Sequence, residues 1–304
     1  MKINALVVLY NSSLSDSMTL KSILNSDLNE IELNLVIWNN GSVLLDEYDI
    51  SNFLKLCNSK KINSSIFQDI RNISLSRIYN HFIYQLNYDF FVIFDQDSMI
   101  DSYFFQYIHC NSNYAMICPA VYPKQRDEKH CFPCDYELKD QVISTGKFSL
   151  GDIRTINSGT AISKQLVNIL LTNHHYVFDE KFAFYHTDHR FFDLIHETPE
   201  AATLDGLCIG RMYHDMTCEV SFKEQNQRTR LEIAYAKMLL RIYRSKNPKN
   251  EIRRNLIYAY KMKHKDNLNF RSFIMLIKCV IFKRHPRSFY NIDKNIKPTN
   301  QTCL

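Results

Sequence analysis

The chain has 304 residues, 45% hydrophobic and 13% aromatic content and a net charge of +5, so it is long and apolar enough to bury a sizeable core. No run of 18 apolar residues occurs, which excludes an α-helical membrane span, and nine cysteines without framework spacing argue against a disulfide-stapled secreted domain and for free thiols in a reducing cytoplasm. The charge is uneven: residues 223–304 hold 20 of the 37 Lys and Arg but 5 of the 32 acids, a balance of +15 that leaves residues 1–222 at −10.

In chain order, residues 3–9 read as a first strand rather than as the apolar core of a signal peptide. Residues 17–25 are predicted helical, with Asp16 as N-cap. Residues 33–38 form a second strand stopped by the turn cluster Asn39-Asn40-Gly41-Ser42, and 65–67 a short third strand. Between 74 and 86, Leu75, Ile78, Tyr79, Phe82, Ile83 and Leu86 recur at spacings of three and four, the period of a helix. Residues 90–94 and 115–118 are further strands. Strands alternating with helices imply an α/β chain with a mostly parallel sheet.

Residues 122–150 are polar and irregular, too long for an ordinary connection, and are predicted to form a functional flap. Residues 154–157 lead into Ser158-Gly159-Thr160, and helices are expected near 163–172 and after Asp188. Beyond 224 the pattern is almost wholly helical, in segments near 224–245, 249–264 and 271–283. A boundary between a body (1–220) and a helical basic tail (221–304) is therefore placed near 220.

Asp95-Gln96-Asp97 is the most informative motif. It ends the apolar run at 88–94, so a buried strand delivers two carboxylates to its carboxyl end, where ligands bind in open α/β sheets. Carboxylates one residue apart suit a hard divalent ion that also takes phosphate oxygens from a substrate. On its own, such a pattern is most often an acidic turn closing a strand.

Further segments in order along the chain carry a resemblance. Val7-Val8-Leu9-Tyr10-Asn11 resembles the opening strand of inverting family-2 glycosyltransferases of the GT-A fold, and Ile37-Trp38-Asn39-Asn40-Gly41-Ser42 resembles their second strand and turn. Residues 72–80 resemble the start of their next helix, with Ser74 where a Gly is usual. Asp95-Gln96-Asp97-Ser98 resembles the metal motif in the form typical of the rhamnosyltransferase-like branch. Residues 155–160 are similar to the acceptor-side Ser-Gly-Thr segment, and 178–188 to the stretch that ends in the catalytic base.

The resemblance implies a UDP- or dTDP-sugar donor near Tyr10, Asn11, Asn39, Asn72, Arg77, Asp95 and Gln96. It implies Mn²⁺ or Mg²⁺ held by Asp97, with Asp95 and His214 as further ligands, Gly159 and Thr160 on the acceptor side, and Asp188 as the base. Each residue also has a plainer reading. Asp188 can be the N-cap of a helix at 189–196, Arg77 an exposed helix residue, and His214 a structural histidine. Asn39, where the family usually has Asp, can be a turn residue.

Cys131-Phe-Pro-Cys134 lacks two more ligands at matched spacing and is taken as incidental. Residues 271–287 interleave cations with apolar side chains. Such a segment can lie on an anionic membrane surface or pack on the body with its charges solvated. No nucleic-acid reader motif accompanies the charge, so no nucleic-acid partner is expected.

The expected activity is transfer of rhamnose or a hexose to a hydroxyl of a lipid-linked surface glycan, of O-antigen or capsule type. The expected place is the cytoplasm, peripheral to the inner face of the plasma membrane, and that setting rests on the resemblance. The alternatives are a non-catalytic scaffold of the same fold and a nucleotidyltransferase, which should carry a Gly-rich basic loop after the first strand.

Overall fold

The computed structural model describes residues 1–124, 129–137, 141–215 and 225–299. The first half alternates as expected: β1 (Lys2–Leu9), α1 (Met18–Leu24), β2 (Glu32–Asn39), α2 (Glu47–Ser59), β3 (Asn63–Gln68), α3 (Leu75–Gln85) and β4 (Phe90–Asp95). There follow β5 (Met99–Ile100), α4 (Phe104–Cys110), β6 (Met116–Pro123), β7 (Cys134–Asp135), β8 (Gly146–Ser149), β9 (Ile153–Arg154) and β10 (Thr160–Ser163). After α5 (Lys164–His174), α6 (Thr187–Glu197), α7 (Pro199–Ala202) and β11 (Asp205–His214), the chain is helical: α8 (Gln227–Arg244), α9 (Pro248–Lys265) and α10 (Phe270–Phe282).

The main sheet runs β3-β2-β1-β4-β10-β6-β11-β5, with β8 also on β11. β3, β2, β1 and β4 are mutually parallel, and so are β6 and β11; β10 runs antiparallel between β4 and β6. β4 is central and buried on both faces, which explains its unbroken apolar run. Phe91 and Ile93 enter one core with α3, α5 and α6, while Phe90, Val92 and Phe94 enter the other with α1, α2 and α4. This is the period of two of a strand feeding both layers. In α3, the predicted stripe of Ile78, Tyr79, Phe82 and Ile83 is buried in the first core.

Several local expectations are corrected. Ser17, not Asp16, caps α1 by accepting from the Leu20 amide, and Asp16 instead accepts from the Ser13 hydroxyl. α2 escaped prediction because it buries only Ile50, Phe53 and Cys57, although Asp46 caps it by accepting from the amides of Tyr48 and Asp49. The described parts of 122–150 include two paired strands, β8 on β11 and β7 on β9. Residues 125–128 and 138–140, and the boundary expected near 220, lie outside the described residues.

The C-terminal helices form a third core that takes in Phe182 from the loop before α6. The Arg244 guanidinium clamps the buried Asp193 carboxylate of α6 through two hydrogen bonds, 2.8 and 2.6 Å long. Among the described residues, no helix is long and apolar enough to cross a membrane.

Candidate active site

Parallel register sets the site. Leu9 lies opposite Asn39 and Val8 opposite Asp95, so the carboxyl ends of β1, β2 and β4 reach one sheet edge together. β5 follows the acidic turn and pairs antiparallel with Met212 and Tyr213, which brings His214 beside Asp97 and Ser98. His214 Nδ1 is 3.4 Å from Asp97 Oδ1, and its Nε2 is 3.9 Å from Asp95 Oδ2. Ser98 is fully buried behind them, its hydroxyl 3.0 Å from His214 Nδ1 and 2.6 Å from the Ser158 hydroxyl. Ser158 also accepts from the Asp95 amide. The acidic turn is thus braced from β10's approach, from β11 and from α1, where Thr19 donates to the Asp95 carbonyl.

One ligand atom from each of Asp95, Asp97 and His214 lies within 4.8 Å of the other two, the only such group among the described residues. Two carboxylates and an imidazole, open on one side, fit a divalent cation that completes its shell with substrate oxygens. The Asp95 side chain is 44% exposed. Its carboxyl is nonetheless pushed up to about 6, first by desolvation in the crowded turn, with His214 opposing and Asp97 and Asp188 adding to the rise.

A cavity of about 570 Å³ opens beside this turn. It is lined by Tyr79, Asp95, Asn157, the 184–189 segment and His214, and by Ile233 and Lys237 from α8. Asp188 sits in the first turn of α6, not at its cap, which is His186. The N-cap reading is therefore corrected: the carboxylate accepts instead from the adjacent His189 amide at 2.7 Å. Burial raises the Asp188 carboxyl, while His186, the His189 amide and Arg154 pull it back. His186 takes a left-handed backbone (φ 60°), and its Nδ1 is buried without a hydrogen-bond partner. Burial and the neighbouring His189 hold its imidazole down near 4, hence neutral, with Asp188 opposing.

A second cavity of about 330 Å³ is lined by Asn11, Ser12, Ser13, Asn39 and residues 42–46. Asn11, at φ 51°, accepts from the Ser42 amide and joins the β1 and β2 turns. Asn39 spends both amide hydrogens on Val43 and Gln68 and accepts from the Gly41 amide, which is the turn role. Gln96 accepts from the Tyr10 amide, and the Tyr10 ring lies under the Arg228 guanidinium.

Other expected residues fall elsewhere. Asn72 holds the Asn40 side chain in a left-handed turn. Arg77 pairs with Glu180 at 3.2 Å and donates to the Ser288 carbonyl and to Asn291, so it ties the body to the C-terminal segment. Neither lines either of these two cavities. Gly159 (φ 76°) and Thr160 serve the backbone: a Cβ at 159 would meet Met212 Sδ at 2.7 Å, and the Thr160 hydroxyl donates to the Ile156 carbonyl. Their neighbours Ile156 and Asn157 line the cavity in their place. Sequence reasoning also missed Tyr79, His186 and Lys237. Tyr79 and Lys237 each sit within a helical pattern, so no local signal marked them.

The same architecture recurs in solved structures of S. aureus TarS 1–349. One has a TM-score of 0.53 at 13% identity and covers 91% of this chain and 81% of that one. The complex with UDP-GlcNAc gives 0.53 at 13%, covering 95% and 83%. The fold is of the GT-A type. At 13% identity the likeness speaks for the fold alone. No protein-family model matches the chain, and no curated protein matches it in sequence.

Proposed function

We propose that the chain is an inverting, metal-dependent glycosyltransferase that moves a sugar from a nucleoside-diphosphate donor to a hydroxyl acceptor. The observation that supports it most is that the Asp95, Asp97 and His214 cluster adjoins, through Asp95 and His214, a cavity that Asp188 also lines, at the carboxyl edge of a GT-A-type sheet. In this reading, residues 1–220 are the donor-binding and catalytic body, and 221–304 a helical region that closes the cavity through Ile233 and Lys237.

Asp97, Asp95 and His214 would hold Mn²⁺ or Mg²⁺. When bound, such an ion neutralises charge on the donor diphosphate. The second cavity, with Asn11 and Ser42 in its wall, takes the nucleoside end, and the larger cavity takes the sugar and the acceptor. Asp188 removes the proton from the attacking hydroxyl. Its raised carboxyl is closer to the working pH and so better matched to that role than an exposed aspartate. One displacement assisted by one base inverts the anomeric centre.

The fold shared with a structure holding UDP-GlcNAc favours a UDP-sugar, with dTDP-sugars next; the transferred unit is a hexose or rhamnose. The acceptor we propose is a lipid-linked oligosaccharide of a surface glycan. Calorimetric titration of UDP, dTDP and GDP, each with and without Mn²⁺, tests the reading. Metal-dependent binding of one nucleotide supports it, and silence from all three in folded protein refutes it.

A further inference from the structure

Around the end of α10, the C-terminal segment leaves apolar side chains in solvent. α10 buries Leu276, Cys279 and Val280 against α8 and α9. Its far end does the opposite. Ile281 is 58% exposed, Phe282 60%, Phe289 52% and Tyr290 48%. Phe282 and Phe289 meet edge to face at 6.0 Å, which joins the end of α10 to the segment after it, and Ile281 and Tyr290 are their chain neighbours.

The segment that carries Phe289 and Tyr290 is bonded to the body. Ser288 is buried, and its carbonyl accepts from Arg77 Nε at 3.1 Å. Asn291 accepts from Arg77 through its side chain and from Arg71 through its carbonyl. Between the held positions 288 and 291, Phe289 and Tyr290 stand in solvent. The 288–291 side of the patch is thus bonded to Arg71 and Arg77 of the body.

Cations rim it. Residues 270–299 carry seven Lys and Arg against the single acid Asp293. Arg271, Lys278 and Phe282 fall on one stripe of α10, Lys283 is exposed at its end, and Arg284 lies 5.3 Å from the Phe289 ring centre. Aromatic and aliphatic side chains set among cations match an anionic bilayer surface, whose acyl boundary takes the apolar tips while its headgroups meet the charges.

We propose that Ile281, Phe282, Phe289 and Tyr290, with Lys278 and Lys283, form a docking face for an anionic lipid bilayer. This face lies apart from the cavity and does not depend on the transferase reading. Docking there would hold the cavity in a fixed orientation to the membrane, because the same backbone is bound to Arg71 and Arg77.

Co-sedimentation of the full chain with vesicles tests this, using phosphatidylcholine alone and phosphatidylcholine mixed with phosphatidylglycerol. Wild type should sediment with the anionic vesicles, less so at high salt and little with the neutral ones. Lys278→Glu with Lys283→Glu should weaken that binding at least ~20-fold, taking about five-fold per cation. Ile281→Glu with Phe282→Glu changes only exposed side chains and should lose the binding while keeping the wild-type circular dichroism spectrum. Absence of wild-type binding, or undiminished binding by the Ile281→Glu/Phe282→Glu variant, overturns the proposal. So does a wild-type dimer in sedimentation velocity that becomes a monomer in that variant, since the patch would then be an interface between copies.

Discussion

Asp188→Asn separates chemistry from binding most cleanly. The substitution is isosteric, and Asn still accepts from the His189 amide at the 2.7 Å geometry of the wild type. What it removes is a charge and a proton acceptor. Losing a general base costs about 100- to 10,000-fold in turnover, equal to roughly 2.7–5.4 kcal/mol of transition-state stabilisation. Asp188 is not among the three clustered metal-ligating groups, so metal-dependent nucleotide binding should survive. Stability gives a second readout with a definite sign. Burial raises the Asp188 carboxyl, so the folded chain holds that proton more tightly than the unfolded chain. Ionising it therefore costs stability, and the cost grows as pH rises from the unfolded value of about 3.9 through the higher folded one. Asn escapes that cost. The variant should melt at or above wild type near about pH 7, and the difference should vanish below about pH 3, where both forms are neutral. Turnover, calorimetry and melting on one preparation decide the matter. Near-wild-type turnover, or nucleotide binding lost in step with turnover, would refute the assignment.

Asp97→Asn should abolish metal-dependent nucleotide binding by calorimetry while leaving the melting temperature within a degree or two, about what an isosteric change at a partly exposed site costs. Because the Asp95 carboxyl is pushed up to about 6, protons should compete with the cation there: nucleotide affinity measured with Mn²⁺ should fall as pH drops through that value and level off above it. Asp193→Ala should destabilise by about 3 kcal/mol, since it strips the buried carboxylate that takes two hydrogen bonds from Arg244 and one from Tyr136. That loss should lower the melting temperature by about 6 °C or more, and a shift under about 1 °C would mean the clamp between α6 and α8 contributes little. Gly159→Ala should lower both stability and turnover, because a Cβ at φ 76° strains the backbone and presses on Met212 beneath the turn that carries Ser158.

The features legible in the sequence are those whose physics is local. The run ending at Asp95 reads as a central strand because only a strand buried on both faces is apolar at every position, and two carboxylates at its end need no other chain segment to be noticed. The three C-terminal helices were legible in their three- and four-residue spacing, and their observed bounds lie within a few residues of those expected. α2 was not legible, because its buried stripe is thin and its cap is an ordinary Asp.

Tertiary structure decided the rest. The sequence could offer His214 only as a possible ligand; the antiparallel pairing of β5 with β11, over a hundred residues apart, put it within 3.4 Å of Asp97. Other contacts engage residues expected at the donor. Arg77 was expected near the donor, but the C-terminal segment passes over it and takes its guanidinium. Asn39 was expected near the donor, but its turn and Gln68 of β3 consume its amide hydrogens. Lys237 and Ile233 reach the cavity only because α8 folds back across the body. A local pattern can show that a residue is acidic and ends a strand. Which partners it meets depends on how strands and helices distant in sequence pack, and nothing in the residue's own neighbourhood encodes that.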